Sequence, residues 1–181
     1  RYLRVGAASR LLPYAAARHR LGIMDDTPAL RQLRALGVAH TVVRHGPVSS
    51  VVEAAAVRGI EVRDLVKTIV VRRASDDYVF VLVPGDREFS WPKLRALLRT
   101  SRLSMPDAET AKAVTGYERG TITPFGAIRP WPVLADASIA GRRISMGGGA
   151  HGVGVNLLAD DMIAALNATV ADLTADDDSQ R

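Results

Sequence analysis

Two apolar segments joined by a polar turn constrain the fold of this chain more than any other feature. Residues 65–71 and 78–83 are rich in β-branched and aromatic side chains, and Ala-Ser-Asp-Asp lies between them at 74–77. Apolar runs of this length on either side of a turn sequence predict the two strands of a β-hairpin. The first run is apolar at successive positions, so we expect that strand to be buried on both faces.

Lys67 places a charge inside the first of these strands. The chain has 3 lysines against 21 arginines, so arginine is its usual cation. A lysine in an apolar strand must reach solvent, find a buried partner or line a cavity. A lysine where arginine is the default indicates a need for a compact ammonium group. On this segment alone, a solvent-reaching lysine and a functional lysine both remain open.

The positive charge of the chain is concentrated at its start. The net charge is +5, and residues 1–23 hold five arginines (Arg1, Arg4, Arg10, Arg18 and Arg20) and no acid. The rest is neutral, which argues against a generally basic, nucleic-acid-coating body. The absence of cysteine excludes disulfides and thiolate catalysis, and no apolar run is long enough to predict a membrane span.

The domain is expected to begin near Met24 and to include residues 24–171. Residues 1–23 then form an N-terminal extension, either from an upstream start or not native to the protein, and an Arg-rich targeting peptide fits less well. Residues 172–181 are rich in aspartate and predict an acidic tail.

Local signals predict small helices and short strands around the hairpin. Helices are expected after the capping residues Thr27, Ser50, Ser90 and Asp107 and from Asp160 onward. Further strands are expected at 40–44, 101–104, 121–128, 132–135, 142–146 and 153–157. These elements predict a single α+β domain, with a mixed, antiparallel-rich sheet or an open barrel surrounded by small helices.

Two glycine-containing loops are further candidate functional segments. Residues 120–126 read Gly-Thr-Ile-Thr-Pro-Phe-Gly, and residues 147–152 read Gly-Gly-Gly-Ala-His-Gly. Glycine lets a ligand approach backbone N–H groups, which can bind a carbonyl or an oxyanion, although an ordinary loop between strands is the alternative. The second loop lacks both the Gly-Lys-Ser/Thr ending of a phosphate loop and the strand–loop–helix setting of a dinucleotide site, so we reject both assignments.

The sequence predicts no metal centre and no serine nucleophile. The four histidines, His19, His40, His45 and His151, are scattered and have no acid cluster near them. His45 and His151 lie on predicted loops, where contact with a ligand and incidental surface exposure are both open. No Gly-x-Ser-x-Gly motif is present.

The order of these segments resembles the YbaK/ProX family of aminoacyl-tRNA deacylases, which are related to the editing domain inserted in bacterial prolyl-tRNA synthetases. The resemblance rests on the Lys67 strand, on Gly120-x-x-x-Pro124-x-Gly126 and on the later glycine loop, and it covers about residues 27–170. It implies a trans-editing hydrolase that removes a mischarged amino acid from aminoacyl-tRNA by ester hydrolysis, without a cofactor. The alternative is a non-catalytic tRNA or aminoacyl-tRNA binding module.

The resemblance also implies a set of site residues. Lys67 is the implied catalytic residue, and we expect its amine to face a cleft bounded by loops 120–126 and 147–152. The implied substrate-binding residues are His45, Thr68, Gly120, Thr123, Pro124, Phe125, Gly126, Gly147, Gly148 and Gly149. The late loop departs from the cysteine-clearing members, because Gly147 and Gly154 stand where those members have a serine and an acid.

The partners and location follow from the same resemblance. It implies aminoacyl-tRNA as the substrate, with tRNA-Pro as one candidate, and an aminoacyl-tRNA synthetase as a further candidate partner. It implies no membrane association and a cytoplasmic location.

Overall fold

The computed structural model describes residues 26–176, so the Arg-rich start and the last five residues lie outside the described range. Within it, the helices are α1 Pro28–Ala35, α2 Val51–Val57, α3 Trp91–Leu98, α4 Ala108–Thr115 and α5 Ala159–Ala165. The strands are β1 His40–Arg44, β2 Val66–Ala74, β3 Asp77–Pro84, β4 Val133–Asp136, β5 Arg143–Gly147, β6 Val153–Leu158 and β7 Thr169–Ala171. The predicted α+β class is confirmed.

The strands form two open sheets. One sheet has the order β1-β6-β5 and is antiparallel throughout. The other has the order β2-β3-β4-β7, in which β2 and β3 form the predicted antiparallel hairpin and the remaining pairs are parallel. A parallel bridge between Leu65 and Ser145 links the start of β2 to β5 in the other sheet.

Side-chain caps start the helices where the sequence predicts. Thr27, Ser50, Ser90 and Asp107 each accept a hydrogen bond from the backbone N–H three residues further on. At α2 the Glu53 carboxylate turns back to the backbone N–H and hydroxyl of Ser49 rather than to the N-cap residue itself. These bonds satisfy N–H groups that have no partner inside the helix.

Two predicted strands are wrong, and one strand was missed. Residues 101–104 contribute only an isolated bridge between Ser104 and Arg72. Residues 121–128 form a loop, because Gly126 adopts a positive φ and Pro124 cannot donate to a strand ladder. The short strand β7 pairs with β4, a distant partner that local sequence signals do not reveal.

The strand buried on both faces is β3, not β2 as predicted. Residues 78–84 are all buried, because β3 lies between β2 and β4 and contacts a separate core on each side. The main core contains Val66 and Val70 of β2, and the second core contains Val71. Alternate positions of β2 therefore face different cores, and Lys67 lies on the second-core face.

The packed chain continues beyond β7. Leu173 and Thr174, in the stretch that the sequence assigned to the acidic tail, are 0% and 1% exposed. The buried Asp136 carboxylate accepts hydrogen bonds from both of their backbone N–H groups. This side chain fixes the end of the described chain to β4.

Candidate functional site

The three segments singled out in the sequence lie next to one another. The Leu65–Ser145 bridge is parallel, so the start of the Lys67 strand lies beside the end of β5, which leads into the late glycine loop at Gly147. A β-carbon on Gly147 would lie 3.3 Å from the Ile122 backbone oxygen, so the late glycine loop also contacts the 120–126 loop. The Lys67 strand and both loops therefore form one region of the surface.

The Lys67 amine points toward a different segment from the one expected. Its Nζ donates to the Arg87 backbone oxygen at 2.6 Å and to Glu88 Oε1 at 2.9 Å. Neither hydrogen bond involves a residue of the 120–126 or 147–152 loops. The Lys67 side chain is 18% exposed and lies on the same face of β2 as Ile69. The backbone of Lys67 is therefore beside the loops, while its amine is held at residues 87–88.

Thr68 faces the opposite side of β2, toward the main core. Its hydroxyl is buried and has no hydrogen-bond partner among the described residues, and the same holds for the hydroxyl of Thr123. Buried polar groups are usually paired, since an unpaired one costs about 1–3 kcal/mol. Two implied substrate-binding residues thus offer hydroxyl groups that the described protein does not engage.

The 120–126 loop is held against the start of α1. Gly126 has a φ of +66°, and a β-carbon there would lie 2.3 Å from the Pro28 carbonyl carbon. Its N–H donates to Gln32 Oε1. Phe125 is fully buried, and its backbone oxygen accepts a 2.7 Å hydrogen bond from the Tyr117 hydroxyl. Burial raises the pKa of Tyr117 to about 12, so the phenol remains a donor at neutral pH.

Two other residues of this loop, Pro124 and Gly120, border more open space. Pro124 lines a cavity of about 480 Å³ together with Gln32 and Trp131. Gly120 has a φ of +89°, and a β-carbon there would lie 3.9 Å from the His151 ring. The loop is therefore tightly packed at Gly126 and more open at Gly120.

The late glycine loop is packed too closely for larger residues. The Gly148 backbone oxygen accepts a 2.5 Å hydrogen bond from the Thr27 hydroxyl. Gly149 has a φ of +87°, and a β-carbon there would lie 2.9 Å from the Tyr117 ring and 3.2 Å from the Ala29 side chain. These contacts join the late loop to α1 and to Tyr117, whose hydroxyl also binds the 120–126 loop.

His45 joins the late loop at its far end. Its backbone N–H donates to the Gly152 oxygen at 3.0 Å. Its Nδ1 is 2.7 Å from the Gly46 oxygen, and its Nε2 is 3.3 Å from the Nε–H of Arg58. A ring nitrogen facing a carbonyl must donate, and one facing a guanidinium must accept, so this arrangement requires a neutral imidazole protonated on Nδ1.

Arg58 is a site residue that the sequence did not predict. It is the C-cap of α2, where a basic residue is ordinary, and this local role conceals its tertiary contacts. Its Nη1 donates to Ser145 Oγ at 3.2 Å and to the Met146 backbone oxygen at 3.3 Å. A β-carbon on Gly154 would lie 2.7 Å from its guanidinium carbon, so the glycine provides the space. The sequence signal that could have pointed to it was the glycine at 154, where the cysteine-clearing members have an acid.

The described part of the chain contains no group of three or more histidine, cysteine, aspartate or glutamate side chains that could hold a metal ion. Across residues 26–176, no helix has both the length and the apolar character needed to cross a membrane.

Comparison with known families identifies the domain. The model of the aminoacyl-tRNA editing domain matches residues 45–165. The chain belongs to this family. The match includes Lys67, both glycine loops, His45 and Arg58, so the resemblance seen in the sequence is confirmed.

Relatives of this editing domain occur both inside longer enzymes and as shorter proteins. The proline–tRNA ligase of Desulfovibrio desulfuricans is 35% identical over 136 residues, which are 73% of this chain and 23% of that enzyme. The chain likewise spans only 21% of the proline–tRNA ligase of Thermosipho melanesiensis. A protein of Enterococcus faecalis, provisionally named a Cys-tRNA(Pro)/Cys-tRNA(Cys) deacylase, is 26% identical over 117 residues, which are 64% of this chain and 71% of that protein.

A solved structure shares the fold. It is provisionally described as a trans-editing enzyme for prolyl tRNA synthetase and superimposes with a TM-score of 0.74 at 24% identity. The superposition covers 91% of this chain and 100% of the other. At this identity the likeness supports the α+β fold and not a particular substrate.

Proposed function

We propose that this editing domain is a trans-acting hydrolase that removes a mischarged amino acid from aminoacyl-tRNA by ester hydrolysis. The observation that carries the proposal is the family match over residues 45–165, because it includes the Lys67 strand and both loops that lie beside it. The relatives named as proline–tRNA ligases and as a Cys-tRNA deacylase support the same substrate class. Cytoplasmic action, where aminoacyl-tRNA is used, is part of this proposal.

Lys67 is proposed to hold the substrate through its terminal adenosine, a phosphate or the ester oxygen. Its carboxylate partner Glu88 is 80% exposed, and exposed ion pairs contribute only about 0–1 kcal/mol. A substrate oxygen can therefore replace Glu88 at small cost. The bond to the Arg87 oxygen would keep the amine in place during this exchange.

Backbone N–H groups of the 120–126 loop are proposed to polarise the ester carbonyl. Thr121 and Gly126 already donate their N–H groups, to Glu118 and Gln32 respectively. Within the described chain, the N–H groups of Ile122, Thr123 and Phe125 have no backbone acceptor. Preorganised donors of this kind stabilise the charge that develops on a tetrahedral intermediate.

An aminoacyl ester is already activated, so the attacking water needs mainly orientation. The described site offers no evident protein base. A neighbouring ribose hydroxyl of the substrate would accept the proton of the attacking water and pass its own proton to the leaving ribose oxygen. Selection of the amino acid would depend on pocket size. One methylene changes binding by only about 1–3 kcal/mol, so a small pocket excludes larger side chains by steric overlap more readily than it favours smaller ones. Gly147 and Gly154 replace the serine and acid of the cysteine-clearing members, so cysteine is not favoured as the amino acid removed. The tRNA-Pro candidate comes from the relatives named as proline–tRNA ligases.

A panel of aminoacylated tRNAs tests the proposal. The protein is incubated with each charged tRNA, including tRNA-Pro carrying different amino acids, and ester loss is followed over time. We expect accelerated loss for at least one mischarged tRNA and no acceleration by the Lys67→Ala variant. Binding of charged tRNA without ester loss across the panel would instead support a non-catalytic binding module.

A further inference from the structure

Arg58 carries a charge that no carboxylate in the described part of the chain balances. Its guanidinium is half-buried and donates to three neutral acceptors, which are His45 Nε2, Ser145 Oγ and the Met146 oxygen. Among residues 26–176, no aspartate or glutamate forms an ion pair with it. Burial alone lowers the pKa of Arg58 from its usual value, yet arginine remains charged in proteins.

One nitrogen of the Arg58 guanidinium, Nη2, makes no hydrogen bond with the described residues. A guanidinium has five N–H donors, and the contacts above use those on Nε and Nη1. No described residue accepts a hydrogen bond from Nη2. A half-buried cation is costly without an anion, and a planar guanidinium is well matched to a phosphate. The unused nitrogen and the unbalanced charge therefore fit an anionic ligand.

The position of Arg58 indicates where this anion would lie. Its partners Ser145 and Met146 immediately precede Gly147, and Ser145 is bridged to Leu65 at the start of the Lys67 strand. Its other partner, His45, is bonded to the late glycine loop at Gly152. The guanidinium thus occupies the end of β5, beside the region formed by the Lys67 strand and the loops.

We propose that Arg58 binds a backbone phosphate near the 3′ end of the tRNA and so positions the aminoacyl ester at the Lys67 region. This inference rests on the proposed function and names a phosphate-binding residue for it. His45 acts as a neutral support, because its Nε2 accepts from Arg58 and fixes the plane of the guanidinium. Gly154 is required because any side chain there would displace the guanidinium.

The test measures binding of an uncharged RNA stem with a tRNA 3′ end by fluorescence anisotropy at several salt concentrations. Arg58→Gln removes the charge, Arg58→Lys retains it, and Arg102→Gln removes an exposed arginine outside the cluster. We expect Arg58→Gln to weaken binding about tenfold at low salt and to reduce the log–log salt slope by about 0.7, the value for one single-strand phosphate contact. The lysine variant and the control should keep the wild-type slope.

A second variant protects the test against a folding defect. Gly154→Ala leaves Arg58 in the chain but places a methyl group 2.7 Å from its guanidinium carbon, which can move because it ends a flexible side chain. We expect weaker RNA binding with an unchanged melting temperature. Wild-type affinity and salt slope in Arg58→Gln, or no RNA binding by the wild-type protein, would overturn the inference.

Deacylation by the same proteins separates the inference from the proposed function. If the wild-type protein binds RNA through Arg58 but hydrolyses no charged tRNA, the hydrolase proposal fails and the phosphate contact stands. If the wild type hydrolyses a charged tRNA and Arg58→Gln matches it in RNA binding and salt slope, the inference fails and the hydrolase proposal stands.

Discussion

Lys67 is joined to Arg87 by a 2.6 Å hydrogen bond from its amine to the backbone oxygen of the arginine. The bond ties the second residue of β2 to the segment that follows β3. The exposed carboxylate of Glu88 forms an ion pair with the same amine. The lysine therefore has a structural contact in addition to its proposed role with substrate. Any test of Lys67 must separate these two contributions.

We expect Lys67→Ala to lower the deacylation rate by about 10²-fold or more, the effect of removing one preorganised donor. Loss of the Arg87 bond should lower the free energy of unfolding by only about 1 kcal/mol. Lys67→Arg should not restore the rate, because a planar fork cannot replace a compact ammonium. Rates and melting temperatures are compared with Lys112→Ala, whose lysine is 59% exposed. A wild-type rate in either Lys67 variant would refute the role.

Gly126→Ala and Gly141→Ala separate backbone strain from steric overlap. Both glycines have a positive φ, +66° and +73°, but a β-carbon on Gly141 meets no atom within 4 Å. We expect Gly141→Ala to lower the free energy of unfolding by about 1–2 kcal/mol through strain alone. Gly126→Ala should cost about 1–3 kcal/mol more, because its methyl group overlaps the Pro28 backbone. Urea unfolding measures both, and equal losses would show that the α1 contact is not tight.

Asp136 should make the fold sensitive to acid. Burial raises its pKa, but hydrogen bonds from Ser138 and from the backbone N–H groups of Leu173 and Thr174 outweigh burial, so the pKa lies below its usual value. A lowered pKa adds stability that is fully present above the unfolded value of about 3.9 and is lost as the pH falls through the folded value. We expect Asp136→Asn to lower the free energy of unfolding at pH 7 by about 1.5–3 kcal/mol.

The same variant should lose less stability than the wild type as the pH falls below about 4, because its side chain no longer takes up a proton. Unfolding by urea at a series of pH values measures the difference. Asp172→Asn is the matched control, since that carboxylate is 68% exposed and should change stability little. An equal loss in the two variants would show that the buried carboxylate does not fix the end of the chain.

A chain that begins at Met24 should fold and keep its deacylation activity. The first described helix is capped by Thr27, whose hydroxyl also donates to Gly148 at 2.5 Å, and both residues are retained. Binding of tRNA should weaken at low salt if the five removed arginines contact phosphates. Melting temperature, deacylation and RNA affinity are measured together. An unfolded shortened chain would place residues 1–23 in the domain core.

The sequence predicted well those features that depend on neighbouring residues. The caps at Thr27 and Ser50 act on N–H groups three residues away, and the hairpin depends on two adjacent strands and their turn. The strand predicted at 121–128 was wrong because it rested on apolar character alone. Its apolar residues suggested a strand, but positive φ at Gly126 and burial of Phe125 against α1 make it a packed loop. Apolar character alone does not distinguish these two outcomes.

The family and its segments were accessible from sequence, because Lys67 and the two glycine loops keep their order along the chain. The tertiary structure decided which atoms meet. The Lys67 amine turned to residues 87–88 because β2 alternates between two cores, and local sequence does not say which face carries which core. Arg58 meets Ser145, 87 positions away, only because α2 ends beside β5. Such contacts depend on how distant segments pack, and no local pattern specifies that packing.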